Sequence, residues 1–193
     1  GKERRPTAAR VERQYVGLFD KLGLSLFDRP GQTIKPVPTP EDPQAVCAPV
    51  AGRVMALDEV RDPAFAQGML GVGVGIAPEG DVAYAPVDGT VVADIKTGHA
   101  LLIKARSGAE VLLHVGLDSV ALRGEGFDQL VHKGDEVHAG QPVLSFDRSL
   151  MTTRGLDDTV VVTVTNTGDF SSVEVVACDF KVVAGSAVLR CER

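Results

Sequence analysis

The segment Ala48-Pro49-Val50-Ala51-Gly52-Arg53-Val54 returns 37 residues later as Ala85-Pro86-Val87-Asp88-Gly89-Thr90-Val91. Each copy reads as a strand, a tight glycine turn and a second strand. A second echo relates the stretch from His132 to Leu144 (HKGDEVHAGQPVL) to the stretch from Lys181 to Leu189 (KVVAGSAVL). Two copies are too few for a solenoid. The expected fold is therefore all-β: an antiparallel sandwich or flattened barrel with an internal two-fold echo. Thr159–Thr165 (TVVVTVT) is the strongest single strand signal, β-branched almost throughout. Twenty-one Gly and eleven Pro suit many tight turns better than long helices. One helical turn each is expected at Asp128–Lys133 and Ser149–Gly155.

The N-terminal part departs from this pattern. Tyr15, Leu18, Phe19, Leu22 and Leu26 stand at helical spacing within Val11–Phe27. Such a stripe fits a helix packed on protein or one lying on a membrane surface. Asp28–Pro43 holds Pro30, Pro36, Pro38, Pro40 and Pro43 and reads as a semi-extended linker. Residues 1–45 are thus expected as an amphipathic segment plus linker, and 46–193 as the globular domain. Residues 1–27 carry +3 and the remainder −9. So acidic a body argues against a nucleic-acid surface and suits basic protein partners. Cys47, Cys178 and Cys191 are odd in number and form no C-x-x-C pair, which fits a reducing cytoplasm. No signal-peptide pattern opens the sequence. Gly68–Pro78 is the longest uncharged apolar-leaning run and is too short to span a membrane.

Two of the four histidines, His99 and His114, fall in one apolar stretch, 97-TGHALLIKARSGAEVLLHVGLD-118. If Ser107-Gly108 forms a two-residue hairpin loop, His99 lies opposite Gly116, His114 opposite Leu101 and Thr97 opposite Asp118. Both imidazoles then share one face with Leu101, Ile103 and Leu112, while Ala100, Leu102, Val111, Leu113, Val115 and Leu117 face the core. His132 and His138 flank turns and are read as solvated loop residues.

A pair of imidazoles beside a hydroxyl and a carboxylate is a candidate chemical site. A neutral ring with one nitrogen held by a backbone carbonyl offers the other as a nucleophile. Gly116 lets the chain bend so that such a carbonyl reaches the ring. A second imidazole can hydrogen-bond a transferring phosphoryl oxygen. The competing reading is zinc held by His99, His114 and Asp118, though no H-x-H or H-E-x-x-H spacing supports it. Gly71-Val72-Gly73-Val74-Gly75 lacks the Lys-Ser/Thr of a phosphate loop, so a phosphoryl group must arrive already activated.

The stretches APVDGTVV, TGHA, LLHVGLDSVALRGEGF and HKGDEVHAGQPVLSFD, with VRDPAFAQGMLGVGVGI at 60–76, closely resemble the glucose-family enzyme IIA component of the bacterial phosphoenolpyruvate-dependent sugar phosphotransferase system. The likeness runs from about Val46 to Leu189. It implies an antiparallel β-sandwich that accepts a phosphoryl group from the carrier protein HPr and passes it to a cysteine of a IIB domain. It implies His114 as the phosphorylated residue and His99 as its supporting histidine. Thr97 would orient the His99 ring, the Gly116 carbonyl the His114 ring, and Asp118 would sit at the site's edge. Phe65, Met69, Leu70, Ile95, Leu101 and Leu112 would form the docking patch. Ile95 and Leu112 stand where relatives often carry Phe, and Ala121 where they often carry Glu. No cofactor is implied, although some members share zinc between the two histidines and a partner's carboxylate. The location implied is the cytoplasm or, through residues 11–27, the inner membrane face. GLFDKL at 17–22 resembles the N-terminus of free-standing members. The alternatives weighed against this reading are a zinc hydrolase of similar architecture and a non-catalytic regulatory module.

Overall fold

A computed structural model describes residues 33–193. Lys35–Arg193 form one compact unit. The amphipathic stretch 11–27 lies outside the described residues. The strands, in chain order, are β1 (Ala45–Cys47), β2 (Gly52–Ala56), β3 (Val72–Pro78), β4 (Val82–Tyr84), β5 (Gly89–Asp94), β6 (Ala100–Ala105), β7 (Glu110–Val115), β8 (Phe127–Gln129), β9 (Glu136–Val137), β10 (Pro142–Phe146), β11 (Val160–Val164), β12 (Ser172–Val175), β13 (Lys181–Val182) and β14 (Ala187–Glu192). They build an eight-stranded sheet in the order β13-β2-β3-β11-β7-β6-β5-β9, and two three-stranded sheets, β1-β14-β12 and β4-β10-β8. The all-β antiparallel expectation holds.

The two-fold echo is written into the backbone hydrogen bonds. Ala48 donates to Ser186 and accepts from Gly185, while its counterpart Ala85 donates to Gln141 and accepts from Gly140. Val54 donates to Phe180 and accepts from Asp179; its counterpart Val91 donates to Asp135 and accepts from Gly134. The relation closes on itself, since Cys47 N–H bonds Pro86 O and Tyr84 N–H bonds Pro49 O. The repeated segments were therefore one structural unit used twice. Between the layers lies a continuous core that includes Val46, Ile76, Leu101, Ile103, Leu113, Leu144, Phe146 and Leu189.

Three expectations are corrected. The second half of the proline-rich stretch, expected as a semi-extended linker outside the domain, is packed against it. Val37 N–H bonds Gly140 O at 2.9 Å, and Asp42 pairs with Arg190 at 3.1 Å, so the compact unit that holds the domain already includes Lys35, ahead of the expected start at 46. Ser149–Gly155 does overlap a helix, Arg148–Thr153, capped by Asp147 accepting from Leu150 N–H; Asp128–Lys133 instead begins in β8. The expected helical turn appears elsewhere, as the short helix Pro63–Ala66 and as 3-10 turns including Ser119–Leu122.

The third correction concerns register. The β6–β7 loop has three residues, Arg106-Ser107-Gly108, closed by Ala105 N–H donating to Ala109 O at 2.7 Å. His114 therefore pairs with Ala100, and Leu101 with Leu113. A one-residue slip exchanges the faces of a strand. Leu101 and Ile103 are core residues, 1% and 0% exposed, and Leu102 joins Leu112 and His114 on the outer face.

Candidate functional site

His114 projects from β7, which is bonded on both sides: His114 pairs with Val161 of β11 and Ala100 of β6. With neighbours on both flanks, the Cα position of this residue is fixed by the sheet. On strict alternation His99, opposite Val115, would point to the other face. It does not, because β6 begins only at Ala100 and His99 lies in the preceding turn. Gly98 makes that turn with φ +74°, a region costly for a side chain, and donates to Ile95 O at 2.7 Å. The turn swings the His99 ring onto His114. The centroids are 5.0 Å apart with the planes at 79°.

Phe65 meets His114 edge-on at 5.2 Å, and Phe127 lies 6.2 Å from His99. Phe65 reaches this place from the helix Pro63–Ala66. Asp62 starts that helix, its Oδ1 accepting from Ala64 N–H at 2.9 Å and from Phe65 N–H at 3.4 Å. Proline follows at the first helical position, where its missing N–H costs nothing. Phe65 packs with Val60, Leu117 and Val161 in a small apolar cluster of its own.

The electrostatics follow from the geometry. Burial pushes the His114 pKa from 6.5 down to about 4, and the neighbouring His99 charge adds to the shift; the Gly116 backbone and Asp62 oppose it. Burial also lowers His99. Both rings are therefore neutral at physiological pH, and a neutral imidazole keeps one nitrogen lone pair free. His114 Nδ1 is buried and has no regular hydrogen bond. The Gly116 backbone nevertheless acts on this ring as a weak hydrogen-bond partner and raises its pKa. With Nδ1 sealed, Nε2 is the nitrogen left to react. His99 Nδ1 is held by Thr97 Oγ1 at 2.7 Å. Where the hydroxyl donates, the His99 proton sits on Nε2, available to an incoming oxygen.

The structure thus brings together Thr97, His99, His114 and Gly116. Asp118 is displaced from its expected place opposite Thr97. It is exposed, adopts φ +55°, and lines a depression with Arg61, Asp157 and Asp158. Met69, Leu70 and Ile95 are exposed apolar residues at 71%, 36% and 40%, and Leu112 is half-buried. Leu101 is buried in the core and cannot dock a partner, because the true register turns it inward. Phe65, 2% exposed, is a wall of the site and not part of its open surface. His99, expected on the face away from the core, is buried at 5% exposure, under Phe127 and His114.

Sequence reasoning missed Asp62, Ser119, Phe127 and the exposed Val120. The Asp-Pro dipeptide three residues before Phe65 was a legible helix start. Among the described residues no group of three or more His, Cys, Asp or Glu side chains gathers to hold a metal, so the zinc set of His99, His114 and Asp118 is not assembled.

Residues 44–170 match the family described as phosphoenolpyruvate-dependent sugar phosphotransferase system, EIIA 1. The glucose-specific EIIA component of Bacillus cereus is 40% identical over 131 residues, which cover 68% of this chain and 79% of that protein. The mannose-specific EIIBCA component of Corynebacterium glutamicum is 40% identical over 134 residues, 69% of this chain but only 20% of that longer protein. Among solved structures, glucose permease IIA from Mycoplasma capricolum superposes with a TM-score of 0.68 at 36% identity, covering 75% of this chain and 93% of that one.

Proposed function

The chain belongs to the EIIA 1 family of the phosphoenolpyruvate-dependent sugar phosphotransferase system, and on that premise we propose that it carries a phosphoryl group on His114 Nε2 during sugar uptake. The donor is the phosphohistidine of HPr and the acceptor a cysteine of a IIB domain. The observation that carries this reading is the His114 ring itself: neutral, sealed at Nδ1, and flanked 5.0 Å away by a second imidazole held by Thr97.

The chemistry is an in-line displacement. The Nε2 lone pair of His114 forms a bond to phosphorus as the donor's N–P bond breaks and the donor imidazole leaves neutral. The proton on His114 Nδ1 stays throughout. Once Nε2 is phosphorylated that N–H becomes more positive, and its attraction to the Gly116 carbonyl grows. His99 Nε2–H stabilises charge on the transferring oxygens. Passing the group on reverses the roles: a thiolate forms an S–P bond and the His114 N–P bond breaks.

Exposed Met69, Leu70, Ile95 and Val120 supply an apolar docking face, and the acidic balance of the body suits a basic donor. Relatives in which EIIA is continuous with EIIB and EIIC support a IIB acceptor. The hydrolase reading lacks a third ligand among the described residues. Two imidazoles would hold zinc only where a partner's carboxylate completes the set. Three unpaired cysteines fit action in the cytoplasm; among the described residues no helix is long and apolar enough to cross a membrane.

The test is intact mass after incubation with phosphoenolpyruvate, enzyme I and HPr. One added phosphoryl group, mapped to His114, supports the proposal; no gain in mass contradicts it.

A further inference from the structure

The three backbone N–H groups just after His114 each have a backbone partner. The N–H of Val115 goes to His99 O at 2.8 Å, that of Gly116 to Thr159 O at 2.9 Å, and that of Leu117 to Asp157 O at 2.9 Å. The two carbonyls on this turn share one side chain. Ser119 Oγ donates to Val115 O at 2.7 Å and leans on Gly116 O at 3.4 Å. Ser119 is 1% exposed, so its hydroxyl has no water to turn to.

A hydroxyl has one proton to give. The distances assign it to Val115, which leaves the Gly116 carbonyl underused. That carbonyl stands beside His114, whose Nδ1 is buried and lacks a regular partner. A buried donor and a buried, weakly engaged acceptor in one turn need each other. Gly116 is held in this position with φ +76°, and a Cβ on it would come within 3.0 Å of Ser119 Cβ. Serine thus packs against the one residue whose carbonyl it must not monopolise.

We infer that Ser119 is a positioning residue for phosphoryl acceptance: by anchoring the Val115 carbonyl it keeps the Gly116 carbonyl turned to His114 Nδ1–H, so that Nε2 stays unprotonated. This rests on His114 being the acceptor. Without the Ser119 hydroxyl, the Val115 carbonyl is buried without that partner and the turn relaxes, freeing the imidazole to exchange tautomers. A ring with its proton on Nε2 cannot attack phosphorus from that nitrogen.

The test uses the full chain and phosphoramidate, a small P–N donor that needs no docking face. In the reaction His114 Nε2 bonds phosphorus, the donor's P–N bond breaks, and ammonia departs. Ser119→Ala, Ser119→Cys and Ser119→Thr are compared with the parent. Two-bond nitrogen–proton spectra read the tautomer and intact mass reads the rate. The parent and Ser119→Thr should show the Nδ1–H tautomer of His114. Ser119→Cys keeps the volume with a weak donor, and together with Ser119→Ala should show mixed tautomers and acceptance slowed about tenfold, the worth of one buried hydrogen bond. Parent-like tautomer and rate in Ser119→Cys, or a loss that Ser119→Thr fails to restore, would overturn the role of Ser119 while label remains on His114. Label on a different residue would instead overturn the acceptor assignment beneath it.

Discussion

The backbone N–H of Val115 donates to the carbonyl oxygen of His99 at 2.8 Å. The residue following one imidazole is thereby tied to the residue that bears the other. The spacing of the two rings is set by main chain, not by a contact between side chains. The functional pair should therefore survive changes at its rim and respond to changes in its turns.

Acid should weaken the fold through this pair. Both imidazoles sit below the ordinary value of 6.5, His114 at about 4. Between those values the unfolded chain binds protons that the folded chain refuses. Stability contributed by the neutral rings is complete above about pH 6.5 and is lost as pH falls toward 4. For His114 the loss should be about 1–3 kcal/mol, and His114→Gln should flatten that part of the curve. Urea unfolding of both proteins across this range checks it; parallel curves would contradict the burial argument.

Phe65→Ala should act twice. It empties a site among Val60, Leu117 and Val161, and so should cost about 3 kcal/mol in denaturant unfolding. It also opens the edge of His114 to water. Proton-detected titration of the ring should then show its pKa moving up toward the ordinary value, since desolvation is the largest cause of its depression.

Thr97→Val should leave His114 able to accept a phosphoryl group and slow its delivery to a IIB domain. The substitution removes the hydroxyl that holds His99 Nδ1. Loss of one oriented hydrogen bond in the transfer step should reduce the rate about 10–100-fold. Rapid-quench measurement of both half-reactions separates them; equal rates for parent and variant would deny His99 its supporting role.

The corrected register has its own signature. Leu101→Glu places a carboxylate in the core and should destabilise by several kcal/mol, of order 3 or more. Leu102→Glu, on the outer face, should leave the melting temperature within a few degrees of the parent. Ile95→Glu and Met69→Glu should melt like the parent and impair transfer from the donor protein alone. A reversed order of Leu101 and Leu102 in calorimetry would restore the two-residue loop.

Much of this was legible in the residues. The doubled A-P-V-x-G segment announced a repeated strand unit, and the bonds of Ala48 and Ala85 repeat it atom for atom in kind. The run Thr159–Thr165 became β11, the neighbour of the histidine strand. What failed was loop length. Arg106-Ser107-Gly108 takes three residues with Gly108 at φ +95°, a common hairpin geometry that a Ser-Gly dipeptide alone does not distinguish from the two-residue form. That slip exchanged Leu101 and Leu102. His99 and His114 still met because a second local feature, the Gly98 turn, corrected for it. Asp62 and Ser119 were missed although their bonds are local, a helix cap two residues long and a hydroxyl that reaches back four residues, because only the packed turn shows which ring they serve.

The central claim is a neutral His114 with Nε2 as phosphoryl acceptor. Phosphorus NMR of the full chain, incubated with phosphoenolpyruvate, enzyme I and HPr, tests it most directly. The account predicts a single phosphoramidate resonance with the shift of an Nε2-phosphohistidine, absent from a folded His114→Ala variant. The same resonance persisting in that variant, or an Nδ1-linked one in the parent, would contradict it.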